Sequence, residues 1–381
     1  MDMLELKDYG VEMWDPEKIQ SFRRTLLNWY DQEKRDLPWR RTKNPYFIWV
    51  SEIMLQQTQV QTVIPYYHRF IEWFPTIEEL ASAPEHKLLK AWEGLGYYSR
   101  VRNMQKAARQ IMTEFDGTFP SRFEDISELK GIGPYTAGAI ASIAFNQAQP
   151  AVDGNIMRVM ARLFEVEYDI GNPKNRKIFQ AIMEELIDSE RPGDFNQALM
   201  DLGTDIESAK NPRPDDSPIK FFCAAYLHGT YDKYPIKLPK KKPRPMVIQA
   251  FVIRNAEGKY LIEKNNAGPL LGGFWTFPII ETSFQAKQID LFGDAQEILE
   301  TLSQKVAFQE QYQLYPIWQD TVHKKVTHTF SHQKWTIELF EGRVSDNQLP
   351  EGLELQWLSL EDFENFPMAT PQKKMIAQLL K

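Results

Sequence analysis

Two acidic residues lie in surroundings that suit acid and base chemistry. Glu52 lies in the stretch WVSEIMLQQ, where apolar neighbours favour burial and would raise the pKa of its carboxyl group. Asp153 precedes Gly154–Asn155 and opens a helical stretch, where hydrogen-bond donors and the helix dipole favour the ionised carboxylate. One protonated and one ionised carboxyl group in the same site could act as a general acid and as a stabiliser of positive charge.

Both residues also have ordinary structural interpretations. A glutamate in the first turn of a helix is stabilised by the helix dipole. An aspartate before a helix is a common N-cap residue, because its side chain accepts hydrogen bonds from free backbone N–H groups. The residue types and their local sequence leave these alternatives open for Glu52 and Asp153.

A second candidate site is the turn in LKGIGPYTAGAIASIAF, residues 129–145. Gly131 and Gly133 allow backbone conformations that other residues avoid, and Pro134 suits the first turn of the following helix. Free N–H groups beside the positive end of a helix favour an anion such as a phosphate. The alternative is a corner between two helices that binds nothing.

The elements that must position these residues belong to a chain of 381 residues, which is long enough for two or three domains. The chain has no apolar run of membrane-spanning length and no apolar signal core at its N-terminus, so we expect a cytoplasmic protein. The net charge of −7 argues mildly against nucleic acid as a partner, although basic stretches such as YYSRVRNMQKAARQ leave a local binding face open. The single cysteine, Cys223, excludes an internal disulfide.

Hydrophobic periodicity divides the chain into two regions. Residues 1–235 are typical of helices, with one-sided apolar spacing at 51–64, 101–115, 137–145, 156–164 and 176–188. The stretch YPIKLPKKKPRPM, residues 234–246, is rich in proline and lysine and predicts an extended linker. After the linker, residues 246–264 predict a hairpin around Gly258, and KVTHTFSHQKWTIELFEG predicts a second pair of strands. DAQEILETLSQ and PQKKMIAQLLK predict helices, so the last third is α+β.

Five motifs occur together in this chain: LPWR (37–40), SEIMLQQTQV (51–60), GLGYYSR (94–100), the glycine turn at 129–145 and VDGNIMRV (152–159). The set resembles the MutY-type adenine DNA glycosylases of the helix–hairpin–helix superfamily. The resemblance implies a mostly α N-terminal helix–hairpin–helix glycosylase module and an α+β Nudix-like C-terminal domain. The implied catalytic region is 1–233, with a six-helix module at about 37–147 and a second helical subdomain made by the N-terminal helix and 148–233. The linker at 234–246 and a Nudix-like 8-oxoguanine recognition domain at 247–381 complete the implied organisation.

The resemblance also implies a role for individual residues. Glu52 would protonate the adenine ring, and Asp153 would stabilise the sugar cation, either electrostatically or as a transient nucleophile, with support from Tyr135 and Asn155. The implied adenine pocket contains Arg40, Leu55 and Gln197. The implied DNA-binding residues are Gln57, Thr58, Leu95, Tyr97, Gly131 and Gly133.

Tyr135 stands where superfamily members that also cleave the DNA backbone, such as endonuclease III, carry a lysine that forms a Schiff base. A phenol cannot form an imine, so the resemblance implies a monofunctional glycosylase. The alternative for Tyr135 is an aromatic residue that packs on a neighbour at the helix start.

The stretch LGTDIESAKNPRPDDSPIKFFCAAY, residues 202–226, departs from the family pattern. Family members commonly carry four cysteines here that bind a [4Fe–4S] cluster, and the matching positions are Glu207, Pro214, Ser217 and Cys223. One thiolate cannot hold such a cluster, so we expect none. Phe221 and Phe222 are candidates for anchoring this loop to the core. A monovalent cation at the carbonyl groups of the 131–133 turn is left open.

In the last third, GPLLGGFWTFPIIE, residues 268–281, resembles the core of a Nudix-type fold without its glutamate-rich metal-binding helix. With THTFSHQKW it resembles the 8-oxoguanine-reading domain of MutY proteins, which implies that Phe330, Ser331 and His332 contact the damaged guanine. A serine hydroxyl can donate and accept, which suits an altered purine edge. The alternative is an ordinary polar hairpin turn.

We therefore expect an enzyme that removes adenine mispaired with 8-oxoguanine or guanine in duplex DNA, acting as a monomer without a membrane partner. Three alternatives remain: a lyase of the endonuclease III type, a damage-binding protein without catalysis, and a nucleotide diphosphatase. Tyr135 argues against the first, the carboxylates Glu52 and Asp153 against the second, and the missing metal-binding glutamates against the third.

Overall fold

The structure is a computed structural model that describes residues 4–239, 242–266, 270–282, 293–319 and 324–380. Lys240 and Lys241 of the expected linker, and Gly268 and Pro269 of the Nudix-like motif, lie outside the described residues. The chain divides into two compact units. One contains Met1–Ala83 and Arg100–Pro239, and the other contains Pro84–Ser99 and Lys240–Lys381. The domain boundaries given above from the sequence stay a prediction.

The first unit is built from helices joined by short turns. These helices are α1 (Pro16–Glu33), α2 (Pro45–Leu55), α3 (Val60–Trp73), α4 (Ile77–Ser82), α6 (Ser99–Glu114), α7 (Phe123–Glu128), α8 (Pro134–Phe145), α9 (Gly154–Leu163), α10 (Arg176–Leu186), α11 (Pro192–Asp205) and α12 (Ala224–Leu227), while α5 (Glu85–Ala91) falls in the second unit. Within the described residues, no helix has the length and apolar character needed to span a membrane.

Most of the helical periodicity in the sequence is confirmed, with one correction. The patterns at 101–115, 137–145, 156–164 and 176–188 correspond to α6, α8, α9 and α10. The pattern at 51–64 was wrong as a single helix, because α2 ends at Leu55 and α3 begins at Val60. Gln57 lies in this break with a φ of 59°, a left-handed conformation that is incompatible with a continuous helix.

The core of the first unit joins α1, α9, α10 and α11 through fully buried side chains such as Phe22, Phe179 and Phe195. Helices α9 and α11 approach closely at Gly203, where an added Cβ would lie 2.8 Å from the Cβ of Asn155. A larger residue at Gly203 would push Asn155 away, so this packing positions the start of α9. Asp153 is the N-cap residue of that helix.

The second unit is built around a mixed β-sheet. Its described strands are β1 (Arg244–Arg254), β2 (Tyr260–Lys264), β3 (Trp275–Thr276), β4 (Ile279–Thr282), β5 (Ile317–Trp318), β6 (Lys324–Thr329), β7 (Gln333–Arg343) and β8 (Leu355–Leu358). Strands β1 and β7 run parallel over their full length, and β6 pairs with β7 in the antiparallel direction. Helices α13 (Gly293–Tyr312) and α14 (Thr370–Leu379) complete the unit. The predicted hairpins and helices, and the α+β class, are confirmed.

The second unit also includes residues 84–99, which lie between α4 and α6 in the chain. Glu93 is 9% exposed, and its Oε1 accepts a hydrogen bond of 3.0 Å from the backbone N–H of Met368. The ring centroids of Tyr98 and Phe274 are 4.2 Å apart. This segment is therefore packed against residues of the C-terminal region.

Candidate active site

Glu52 lies on α2 and is 6% exposed, as its apolar neighbours in the sequence indicate. The hydroxyl of Tyr135, on the first turn of α8, donates a hydrogen bond of 2.7 Å to Glu52 Oε2. Burial raises the pKa of Glu52 to about 7, and the nearby charge of Asp153 acts in the same direction. The Tyr135 hydrogen bond and the charge of Arg40 act to lower this pKa. Glu52 can therefore hold a proton near neutral pH and release it.

Asp153 caps the N-terminus of α9. Its Oδ1 accepts hydrogen bonds of 2.9 Å and 2.8 Å from the backbone N–H groups of Asn155 and Ile156. The Asn155 side chain donates to Asp153 Oδ2 at 2.9 Å. Burial raises the pKa of Asp153, while these three donors and the charge of Arg158 act against the rise by favouring the ionised form. The carboxylate of Asp153 that caps α9 is therefore also the group proposed to stabilise the sugar cation.

Arg158, which the sequence reasoning did not single out, links α9 to its surroundings. Its Nη2 donates to Asn155 Oδ1 at 2.7 Å and to the backbone oxygen of Gly203 at 2.6 Å, and its Nε donates to the backbone oxygen of Glu207 at 2.7 Å. The guanidinium thus orients the Asn155 amide that contacts Asp153. The signal in the sequence was an arginine three residues after Asn155, among the mostly apolar residues 156–163.

One open cavity of about 1210 Å³ brings most of the predicted site together. Its lining includes the predicted residues Arg40, Glu52, Leu55, Gln57, Thr58, Gly133, Tyr135, Asp153, Asn155 and Gln197. Arg176, which the sequence reasoning missed, also lines this cavity. The cavity is therefore large enough for a nucleoside, and its wall combines two carboxyl groups with amide and guanidinium donors.

Other predicted residues lie outside this lining. Gly131 has a φ of 81°, and an added Cβ would lie 2.6 Å from the Cβ of Asn103, so the turn requires glycine there. Leu95 is buried and Tyr97 is 46% exposed; both belong to the 84–99 segment of the second unit.

Phe330, Ser331 and His332 form the turn between β6 and β7 in the second unit. The backbone N–H of Phe330 donates to Gln333 O at 2.7 Å, and Ser331 Oγ lies 3.3 Å from His332 Nδ1. Phe330 also packs against Trp335, with ring centroids 4.8 Å apart. The turn is held by its neighbours while the side chains of Ser331 and His332 are exposed.

The loop after α11 places Glu207 in an ion pair. Glu207 is 2% exposed, and its Oε2 accepts a hydrogen bond of 2.9 Å from Arg162 Nη1 and a close one from the Tyr231 hydroxyl. Of the two aromatic anchors expected for this loop, Phe222 packs against Phe22, with ring centroids 5.5 Å apart. Phe221 is 71% exposed, so its expected anchoring role was wrong.

The residues at the family's cluster positions do not fit a [4Fe–4S] cluster. The carboxylate of Glu207 is occupied by Arg162 and Tyr231, and Pro214 has no side-chain donor. Burial raises the pKa of the Cys223 thiol to about 12, which disfavours the thiolate that a metal requires. Within the part of the chain that the structure describes, no group of three or more His, Cys, Asp or Glu side chains is arranged to hold a metal ion.

Comparison with known proteins identifies both regions of the chain. The HhH-GPD superfamily of base excision DNA repair proteins matches residues 50–187, and the NUDIX domain matches residues 249–378. A thermostable thymine-DNA glycosylase of known structure superimposes with a TM-score of 0.50 at 27% identity, covering 56% of this chain and 98% of that protein.

Curated relatives extend the similarity over nearly the whole chain. The human adenine DNA glycosylase is 34% identical over 424 residues, covering 95% of this chain and 74% of the human protein. The adenine DNA glycosylase of Buchnera aphidicola subsp. Baizongia pistaciae is 40% identical, covering 68% of this chain and 73% of that protein. This extent of identity shows that the chain belongs to the adenine DNA glycosylase family.

Proposed function

We propose that this DNA glycosylase excises adenine that is mispaired with 8-oxoguanine or guanine, and that it leaves the DNA backbone intact. The observation that carries the proposal is the pair of carboxyl groups in one cavity, Glu52 with a pKa of about 7 and Asp153 held by three N–H donors. The names of the curated relatives support adenine as the base.

The reaction begins when adenine has been flipped out of the duplex into the cavity. Glu52 donates its proton to a ring nitrogen of adenine, and the bond between the base and C1′ of the sugar breaks with its electron pair moving to the base. Asp153 stabilises the positive charge that develops on the sugar. Water then adds to C1′, and the proton it releases returns to the Glu52 carboxylate, which restores the acid for the next turnover.

The absence of strand cleavage follows from Tyr135. Its hydroxyl is committed to Glu52 at 2.7 Å, and burial raises its pKa well above the usual value. A phenol has no amine with which to form an imine with the abasic sugar. Removal of the base should therefore leave an intact abasic strand.

Each unit carries residues that are proposed to contact the mispaired duplex. Gln57, Thr58, Leu95 and Tyr97 are the proposed wedge and strand contacts, and the Gly131–Gly133 turn is the proposed phosphate contact. The exposed turn of Phe330, Ser331 and His332 is the proposed reader of the opposite base, because its hydroxyl and imidazole can both donate and accept.

The protein is further proposed to work without an iron–sulfur cluster, as a monomer acting on duplex DNA in the cytoplasm. The Glu207–Arg162 pair and the Cys223 thiol support the absence of a cluster. Metal analysis of protein purified without oxygen, together with gel filtration, tests both points. Stoichiometric iron with sulfide, or a stable dimer, would contradict them.

The decisive experiment is an excision assay on labelled duplexes with adenine opposite 8-oxoguanine, guanine or thymine, developed with and without alkali. We expect cleaved product only after alkali, from the first two duplexes, and none from a Glu52→Gln variant. Glu124→Gln is the matched control, because Glu124 is 65% exposed and pairs with Arg122 on the surface.

Two of the alternatives predict different results in this assay. Product without alkali would indicate lyase chemistry and a different role for Tyr135. Binding of the 8-oxoguanine duplex without product under either condition would indicate a damage-binding protein.

A further inference from the structure

A buried aspartate that no sequence motif singled out holds the proposed adenine-pocket arginine. Asp201 lies on α11 and is 2% exposed. Its Oδ2 accepts a hydrogen bond of 2.6 Å from Arg40 Nη1, and its Oδ1 accepts one of 2.9 Å from Arg40 Nη2. Arg35 Nε donates to the same Oδ1 at 3.0 Å. One carboxylate therefore binds two guanidinium groups, one of them in a two-point contact that fixes its plane.

This contact leaves the Nε–H of Arg40 without an acceptor among the described residues. Both terminal nitrogens of Arg40 are bound to Asp201, whereas its Nε is buried without a hydrogen-bond partner among the described residues. Such a donor is costly to bury unless something accepts from it. Arg40 lines the large cavity together with Gln197, which lies one helical turn before Asp201 on α11. The guanidinium that Asp201 orients therefore forms part of the cavity wall.

The same contact balances charge near Glu52. Asp153 and Arg40 act on Glu52 through their charges, and Tyr135 acts on it through its hydrogen bond. Arg158 acts on Asp153, and Arg176 acts on Tyr135. The charge of Arg40 favours the ionised form of Glu52, which is the wrong form for an acid. A carboxylate bound to Arg40 reduces that influence.

We infer that Asp201, assisted by Arg35, is a positioning residue for adenine excision. It holds the Arg40 guanidinium on the cavity wall, and it offsets the charge of Arg40 so that Glu52 keeps its proton. This inference rests on the proposed function, since it requires that adenine enter this cavity.

The test measures single-turnover excision from a duplex with adenine opposite 8-oxoguanine, over a range of pH. In Asp201→Asn we expect the rate constant to fall by roughly tenfold or more, because the base is less well oriented. The fall in rate at alkaline pH, which reports loss of the Glu52 proton, should begin at lower pH. In Arg35→Gln a positive charge is lost instead, so the alkaline fall should move to higher pH.

Three further measurements separate positioning from a loss of fold. Asp201→Glu keeps the charge, so its alkaline fall should return towards that of the wild type even if the rate does not. Asp31→Asn is the matched control, because it breaks an exposed Asp–Arg pair with Arg191 and should change neither quantity. Thermal unfolding of each variant reports whether the structure survives.

The outcomes are distinct. If the wild type removes adenine but Asp201→Asn has an unchanged rate and pH profile, the inference is wrong and the proposed function stands. If Asp201→Asn does not fold, Arg35→Gln decides, and an unchanged pH profile in that variant overturns the inference. If the wild type removes no adenine, the proposed function itself fails.

Discussion

Two buried glutamates of the first unit, Glu52 and Glu207, accept hydrogen bonds from similar partners but suit different roles. Glu52 and Glu207 are 6% and 2% exposed, and each accepts a hydrogen bond from a tyrosine, Tyr135 or Tyr231. Glu207 is also bound by Arg162 at 2.9 Å, whereas within the described ranges no cation lies within ion-pair distance of Glu52.

The difference shows how one arginine changes what a buried carboxyl group can do. Without a directly bound cation, burial dominates and Glu52 keeps a proton near neutral pH. With Arg162 attached, Glu207 becomes a link between α9, the loop after α11 and Tyr231. The first arrangement suits proton transfer, and the second suits structure.

The largest expected effect is on catalysis. Glu52→Gln removes the proton donor and should lower the single-turnover rate of adenine excision by about 10² to 10⁴, the usual contribution of a general acid. Quenched-flow or manual sampling of the labelled duplex measures the rate. An active Glu52→Gln enzyme would show that Glu52 is a structural residue like Glu207.

The second effect is on stability. Glu207→Ala leaves Arg162 buried without its partner and should lower the free energy of unfolding by about 3–5 kcal/mol. Urea titration monitored by tryptophan fluorescence measures the change. The matched control is Asp216→Ala, which breaks an exposed pair with Arg213 in the same loop and should cost at most about 1 kcal/mol. Equal losses in the two variants would remove the structural role given to Glu207.

A third effect is on the pH dependence of stability that Glu52 confers. Glu52 is protonated in both the folded and unfolded states below its ordinary pKa of 4.5, and folding raises the pKa to about 7. Because the unfolded state ionises first, wild-type stability should fall as pH rises through this window, by about 3 kcal/mol.

Glu52→Gln lacks this cost. It should therefore gain stability relative to the wild type between about pH 5 and about pH 8, while its activity is lost. Parallel urea titrations at both pH values measure the difference. A constant difference between the two proteins would show that burial does not hold the proton on Glu52.

The smallest expected effect concerns Tyr135, which donates a hydrogen bond to Glu52 as Tyr231 does to Glu207. Tyr135→Phe removes a hydrogen bond that lowers the pKa of Glu52, so the alkaline fall in excision rate should move to higher pH. A pH profile of the single-turnover rate measures this shift. The corresponding change at Glu207, Tyr231→Phe, should leave the pH profile unchanged. A shift in that variant would indicate that the loop after α11, which contains Glu207, controls the pKa of Glu52.

The sequence predicted much of the fold because its signals are local. Apolar spacing predicted α6, α8, α9 and α10, and the turn around Gly258 predicted the β1–β2 hairpin. The error at 51–64 has a local cause as well. The apolar positions on both sides of Gln57 continue a helical pattern, and the non-helical backbone of residues 56–59, left-handed at Gln57, interrupts it.

The sequence by itself determined which residue types could do the chemistry, since Glu52, Asp153 and Tyr135 were identified from their neighbours and their motifs. The tertiary structure decided what each of them faces. Tyr135 contacts Glu52 across 83 positions, Arg40 contacts Asp201 across 161, and Arg162 contacts Glu207 across 45. Proton affinity and charge balance depend on burial and on the partner within a few ångströms, and these follow from how the helices pack rather than from spacing along the chain.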